Sequence, residues 1–247
     1  MKNLILKMAD DALIIGHRNS EWTGIGPLLE EDIAFSSMSQ DKIGHAWALY
    51  RILNEELGGE DPDKAAFNRS VKDFTCCHLV EYPIGEFDFS LVRHFLMDKA
   101  EFHRYDLLLQ SSFLPLVNLA KKVKGEIKYH VMHADTWMQQ LANGNEESKA
   151  RIQSALNLVY PIAFSLFEKQ DDEQAVIEQK VFVGEDVLKS IWVDDIANRI
   201  KEFGLTIPSS IDSSAHLGGR KGYHTDHLEP LLKEMTEVFA IDPNAEW

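Results

Sequence analysis

The sequence predicts an all-α protein, a four-helix bundle with additional C-terminal helices. Two observations carry this. Apolar residues recur at three- and four-residue spacing along nearly the whole chain, which is the period of a helix with one buried face. No run alternates apolar and polar residues between turn signals, as a half-buried strand would.

The elements follow in order. A first helix is expected over residues 4–21, broken by Thr23-Gly24-Ile25-Gly26-Pro27. Pro27 suits the first turn of the next helix, which should run over 27–57 and stop at Gly58-Gly59. A shorter helical region is expected over 62–80, with a break near Asp73. After a turn at Tyr82-Pro83-Ile84-Gly85, a fourth helix should cover 88–110. A fifth should cover 113–141 and end at Asn143-Gly144-Asn145. Four long helices with short connections argue for a bundle. Further helices are expected over 146–167, 185–203 and 226–240. A polar stretch lies at 169–174, and a Ser- and Gly-rich loop at 208–222 reads as a crossing over the bundle surface. One helix beyond that loop is too little to fold alone. The expectation is therefore a single domain over 1–247, with a core bundle of about 4–141 and C-terminal helices of about 146–240.

The composition narrows the function. The chain has 247 residues, 45% of them hydrophobic, so it can bury a sizeable core. Its formal charge of −15 repels phosphate backbones, which argues against nucleic acid as a partner. The same surface could dock on a basic subunit or simply confer solubility. No apolar run approaches the roughly 18 residues of a membrane span. The first residues have no signal-peptide cleavage pattern. Cys76 and Cys77 are neighbours, a poor disulfide pair, and are expected to pack as small hydrophobes in a reducing cytoplasm.

Polar residues on the apolar stripes point to a site. The stripe Ala120, Val123, Ile127, His130, Ala134, Trp137 carries His130 inward. Met38, Lys42, His45, Leu49, Ile52 carries Lys42 and His45, and Leu91, Phe95, Asp98, Phe102, Tyr105 carries Asp98. Ile14, His17 and Glu21 share a face of the first helix. Buried ionisable groups are costly unless paired or metal-bound. In di-iron carboxylate bundles of the ferritin-like kind, two helices each give an acid and two others each give Glu-x-x-His. Here the residues three before His45 and His130 are Lys42 and Ile127. A lysine is a cation and an isoleucine has no donor. Glu21, Lys42, His45, Asp98, Ile127 and His130 therefore read as a vestigial metal centre, with no metal, no cofactor and no catalytic residue. An ammonium at Lys42 could replace the metal charge between the two acids. A shifted ligand set, Asp41/His45 with Glu126/His130, keeps a di-iron oxygenase open as an alternative, because acid and imidazole at i, i+4 also share a face.

A second candidate lies near the C-terminus. His224 and His227, with Asp212 and His216 nearby, have a spacing that can bind zinc. Thr225 or Asp226 reads instead as a helix N-cap. Arg220 and Lys221, between glycines, could contact an acidic partner or an anion.

Several segments carry a family resemblance. They are Glu21-Trp22, Glu30 through Asp32, Gly44, Phe95 through Asp98, Lys128-Tyr129-His130 and Leu141-Ala142-Asn143-Gly144-Asn145. Most specific is the run Gly218-Gly219-Arg220-Lys221-Gly222-Tyr223-His224-Thr225-Asp226-His227-Leu228, followed by Pro230, Leu232, Glu234-Met235 and Trp247. In these the chain resembles the PaaC family of phenylacetate-CoA oxygenase subunits, components of the phenylacetyl-CoA 1,2-epoxidases. The resemblance implies a ferritin-like fold and a non-catalytic structural role. In that role the chain would pair with and stabilise the catalytic di-iron subunit, PaaA, in aerobic phenylacetate degradation. Carried across, the ligands of that subunit fall on Glu21, Lys42, His45, Asp98, Ile127 and His130. A free-standing helical homodimer remains the third possibility.

Overall fold

The computed structural model describes residues 1–208, 212 and 214–242. Trp247 of the motif above, and residues 209–211 and 213 of the Ser- and Gly-rich loop, lie outside them. The chain is all-α, as the periodicity required, and no strand occurs among the described residues. No described helix is long and apolar enough to cross a membrane. The α-helices are α1 Lys2–Ser20, α2 Leu29–Leu57, α3 Pro62–Phe67, α4 His78–Glu81, α5 Phe87–Leu108, α6 Leu114–Ala142, α7 Glu146–Ala163, α8 Glu173–Glu178, α9 Glu185–Glu202 and α10 Leu228–Thr236.

Two compact units emerge. One comprises residues 2–83 and 218–247; the other comprises residues 84–217 with Met1. The first is thus built from both ends of the sequence.

In the first unit α1 and α2 form the main helix pair, with α4 against α1, and α3 touching α2 and α10. The α1–α2 turn holds by local chemistry: the Asp32 carboxylate accepts the Gly24 amide at 2.6 Å. Helix α2 starts two residues later than Pro27 suggested, because Leu28 is still extended. Glu30, Glu31 and Asp32 fill its first turn, where carboxylates complement the helix dipole. The region 62–80 breaks more than once: α3 is capped by Asp61 with Pro62 inside its first turn, a single 3-10 turn spans Val71–Asp73, and only four residues remain helical in α4.

Helix α1 buries more charge than an amphipathic helix should, and these charges have partners. Asp10 accepts from Arg69 at 2.5 Å, from Tyr50 Oη at 2.6 Å and from the Thr75 amide at 2.7 Å. Asp11 takes both terminal nitrogens of Arg220 at 2.7 Å and the Cys77 amide at 2.8 Å. Arg18 donates to the Glu81 and His227 carbonyls. Fixing each ion with charge-assisted hydrogen bonds offsets its desolvation.

The C-terminal run corrects the surface-crossing reading over 218–222. Gly219 and Arg220 are buried. A Cβ on Gly219 would lie 2.2 Å from the Cys76 carbonyl oxygen, and one on Gly222, 2.5 Å from that of Lys72. Only glycine admits so close a backbone approach, and Gly222 also adopts φ +76°.

In the second unit α5 packs on α6, α7 and α9. Trp192 of α9 is fully buried. It stacks on Tyr160 of α7 and donates its indole N–H to the Leu96 carbonyl of α5 at 2.9 Å. Arg104 of α5 grips Glu185 at the start of α9 with two bonds, of 2.5 and 2.9 Å. Helix α7 ends four residues early: Pro161 removes a donor near its C-terminus, and Phe164–Phe167 tighten to a 3-10 turn. The polar stretch at 169–174 leads into α8, too short for periodicity to reveal. The last expected helix shrinks to α10 plus a 3-10 turn at Phe239–Ile241.

Candidate metal centre

In the second unit, α5 supplies Asp98 and α6 supplies Ile127 and His130, all essentially inaccessible to solvent. Two further histidines join them, neither expected from the stripes. His94 lies one turn before Asp98 and its Nδ1 contacts Asp98 Oδ2. His130 Nδ1 stands 3.6 Å from Asp98 Oδ1. The His94 ring is 6.0 Å from that of His130 and 5.6 Å from that of His133. A signal for His94 does exist in the sequence, since i, i+4 puts it on the Asp98 face. The Glu-x-x-His pattern does not reveal it, because that pattern starts from an acid preceding a histidine.

Burial pushes the His94 imidazole down to about 4, with Asp98 opposing and His133 and His130 adding to the fall. His94 is therefore neutral at pH 7, with its Nδ1 facing the Asp98 carboxylate. The linkage has a definite sign. A histidine with a lowered folded pKa binds fewer protons folded than unfolded between about 4 and its ordinary 6.5. Stability should fall as the pH drops through that window, by on the order of 3 kcal/mol from this group. Urea titrations at a series of pH values test this. The stability difference between the wild type and His94→Gln should change across the window, and parallel curves would refute the assignment.

In the first unit, α2 carries Lys42 and His45, 1% and 3% exposed, and Met38 and Leu49 on the same stripe are fully buried. Glu21 follows α1 and is partly exposed. Its Oε1 accepts from Arg18 Nη1 at 2.6 Å, so an arginine three residues away neutralises this acid. Asp41 and Glu126, the shifted alternative, are half-buried, at the edges of the stripes that Lys42 and Ile127 centre.

The C-terminal candidates are drawn inward. Arg220 is committed to Asp11 and to the Thr75 carbonyl, 2.8 Å from the latter, so its guanidinium is not an exposed anion contact. Lys221 beside it is exposed. His224 and His227 diverge: His224 Nδ1 meets Glu81 at 2.8 Å, while the His227 ring lies tilted against that of Tyr82, 5.1 Å between centroids. The expected N-cap is absent. His227 holds the cap position of α10 without a side-chain bond, and the Thr225 hydroxyl turns to Glu81 at 2.7 Å.

As a donor set, Glu21, Lys42, His45, Asp98, Ile127 and His130 do not fit a di-iron pair. Iron in such proteins needs negative oxygen donors beside the imidazoles. Ile127 offers none, and Lys42 offers a cation.

An all-helical chain with long helices bearing inward acids, histidines and a lysine has the make-up of ferritin-like proteins. It belongs to the phenylacetic acid catabolic protein family, whose family model matches residues 1–247. It is 29% identical over 242 residues to the C subunit of 1,2-phenylacetyl-CoA epoxidase from Escherichia coli (strain K12), covering 98% of this chain and 97% of that protein. It is also 24% identical over 211 residues to the A subunit of the same epoxidase, covering 82% of this chain and 66% of that protein. The resemblance carried by the C-terminal run is thus borne out at family level.

Proposed function

We propose that this chain is a non-catalytic structural subunit of a multicomponent phenylacetyl-CoA 1,2-epoxidase, pairing with and stabilising a catalytic di-iron subunit. One observation carries the reading: Lys42 and Ile127, where a di-iron subunit needs glutamates, are both buried core residues. Similarity to the C subunit of the E. coli epoxidase along nearly the whole length supports it, as does weaker similarity to the A subunit. Glu21, Lys42, His45, Asp98, Ile127 and His130 are then the remnant of an ancestral ligand set, within a single ferritin-like domain. The work is done in the cytoplasm, with no cofactor of this chain's own.

Co-expression with a di-iron partner of the PaaA type tests the pairing. The two chains should co-elute, and the catalytic partner should lose epoxidation and solubility without this one. Metal analysis tests the division of labour: two tightly bound irons per copy of this chain would overturn it. Restoring the lost acids is a sharper measurement. Lys42→Glu with Ile127→Glu should raise the iron content of the purified chain at least several-fold over wild type. No gain, in a variant whose circular dichroism is unchanged, would count against a remnant centre.

A further inference from the structure

Cys76 precedes α4 and Glu81 ends it, and His224 lies more than 140 residues further along the chain, yet their donor atoms converge. Cys76 Sγ is 3.8 Å from Glu81 Oε1 and 3.9 Å from His224 Nδ1, and the last two are 2.8 Å apart. All three side chains are buried. They belong to the unit formed by residues 2–83 and 218–247. None of them is among the six positions of the remnant centre.

We propose that Cys76, Glu81 and His224 form a binding site for a thiophilic divalent cation of the zinc class, which clamps the C-terminal segment to the chain before α4 and to its last residue. The donor chemistry fits. Zinc takes thiolate at about 2.3 Å, imidazole nitrogen at about 2.0–2.1 Å and carboxylate oxygen at about 2.0–2.2 Å. In a tetrahedron those lengths put sulfur about 3.6 Å from each partner and nitrogen about 3.3 Å from oxygen. The existing triangle needs its sulfur edges to close by about 0.2–0.3 Å and its nitrogen–oxygen edge to open by about half an ångström.

The surrounding bonds orient each donor. His224 Nε2 lies 3.0 Å from the Phe74 carbonyl oxygen. A carbonyl can only accept, so Nε2 donates to it and Nδ1 is the nitrogen turned to the acid and the thiol; the proton that Nδ1 shares with the Glu81 carboxylate in the metal-free chain is released when a cation binds. Such a carbonyl behind the ring is what fixes the tautomer of a metal-binding histidine. Glu81 Oε2 is held by the Thr225 amide and hydroxyl, each at 2.7 Å, which leaves Oε1 facing the sulfur and the imidazole. Electrostatics favour a cation here. Burial raises the Cys76 thiol well above its ordinary range, and Glu81, Asp10 and Asp11 raise it further. A thiolate at this position therefore needs a positive charge bound to it, which a metal supplies as it displaces the thiol proton. Three protein ligands leave the fourth position of a tetrahedral ion to a small exogenous ligand such as water or hydroxide.

Cobalt(II), added to the chelator-treated full-length chain, is the direct probe. One equivalent should bind with a thiolate-to-cobalt charge-transfer band and the intense visible bands of a tetrahedral ion. Cys76→Ser should abolish the charge-transfer band, while Cys77→Ser keeps it. Glu81→Gln or His224→Gln should weaken binding at least tenfold. Zinc should displace the cobalt. A natively folded wild-type chain that gives no charge-transfer band at saturating cobalt overturns the site, as does a band that survives Cys76→Ser. Neither outcome touches the proposed structural role, which is read out by co-elution and iron content.

Discussion

Replacing Arg220 with methionine should cost about 3–5 kcal/mol of stability, the usual penalty for removing one partner of a buried ion pair. The size follows from what stays behind. Asp11 would keep the Cys77 amide but lose two charge-assisted bonds of 2.7 Å in a largely buried site. The Thr75 carbonyl would lose its donor as well. Urea denaturation measures the loss. Asp11→Leu combined with Arg220→Met should recover much of it, because a matched apolar pair leaves no uncompensated charge. Arg220→Lys should recover little, since one ammonium cannot reproduce a two-toothed grip on a carboxylate. An Arg220→Met protein within about 1 kcal/mol of wild type would show that the pair is worth no more than an exposed one.

Trp192→Ala should be comparably damaging, at about 3–5 kcal/mol for a large aromatic truncated in the core. The ring fills the space between α9, α7 and α5, stacked on Tyr160 with Phe164 edge-on and Phe167 tilted. For a chain of this size that corresponds to a melting point lower by roughly 10 °C. Trp192→Phe separates the two contributions. It keeps most of the ring contact and loses the bond to Leu96, which is worth about 1 kcal/mol. Equal losses from the two variants would mean that the hydrogen bond, not the packed volume, holds α9 in place.

The long helices were legible because each carries an apolar stripe for many turns, and a mistake of one residue does not disturb a stripe. For the same reason Lys42, His45, Asp98, Ile127 and His130 could be read as buried, and all five are. Ile52, Phe102 and Trp137, at stripe edges, are only partly covered. Short elements were not legible. α4 and α8 span too few residues for a period to show. The role of Arg220 was hidden for a different reason. A lone arginine among glycines looks exposed, and the aspartate that buries it lies 209 residues away. The meeting of Glu81, His224 and Cys76 was hidden in the same way, since tertiary structure makes it and leaves no local pattern.

The return of residues 218–247 to the unit begun by α1 and α2 sets an order of events during synthesis. Residues 84–217 are contiguous and can close as soon as they leave the ribosome. The earliest residues to emerge cannot finish: Asp11 waits for Arg220, and Glu81 waits for His224 and Thr225. Closing so long a loop costs little more entropy than closing a shorter one, because the penalty grows only with the logarithm of length. The burden is delay, during which α1 carries unpaired acids and half-covered apolar surface. A chain stopped before Gly218 would therefore fail at its beginning, with its missing end felt first in the oldest part of the molecule.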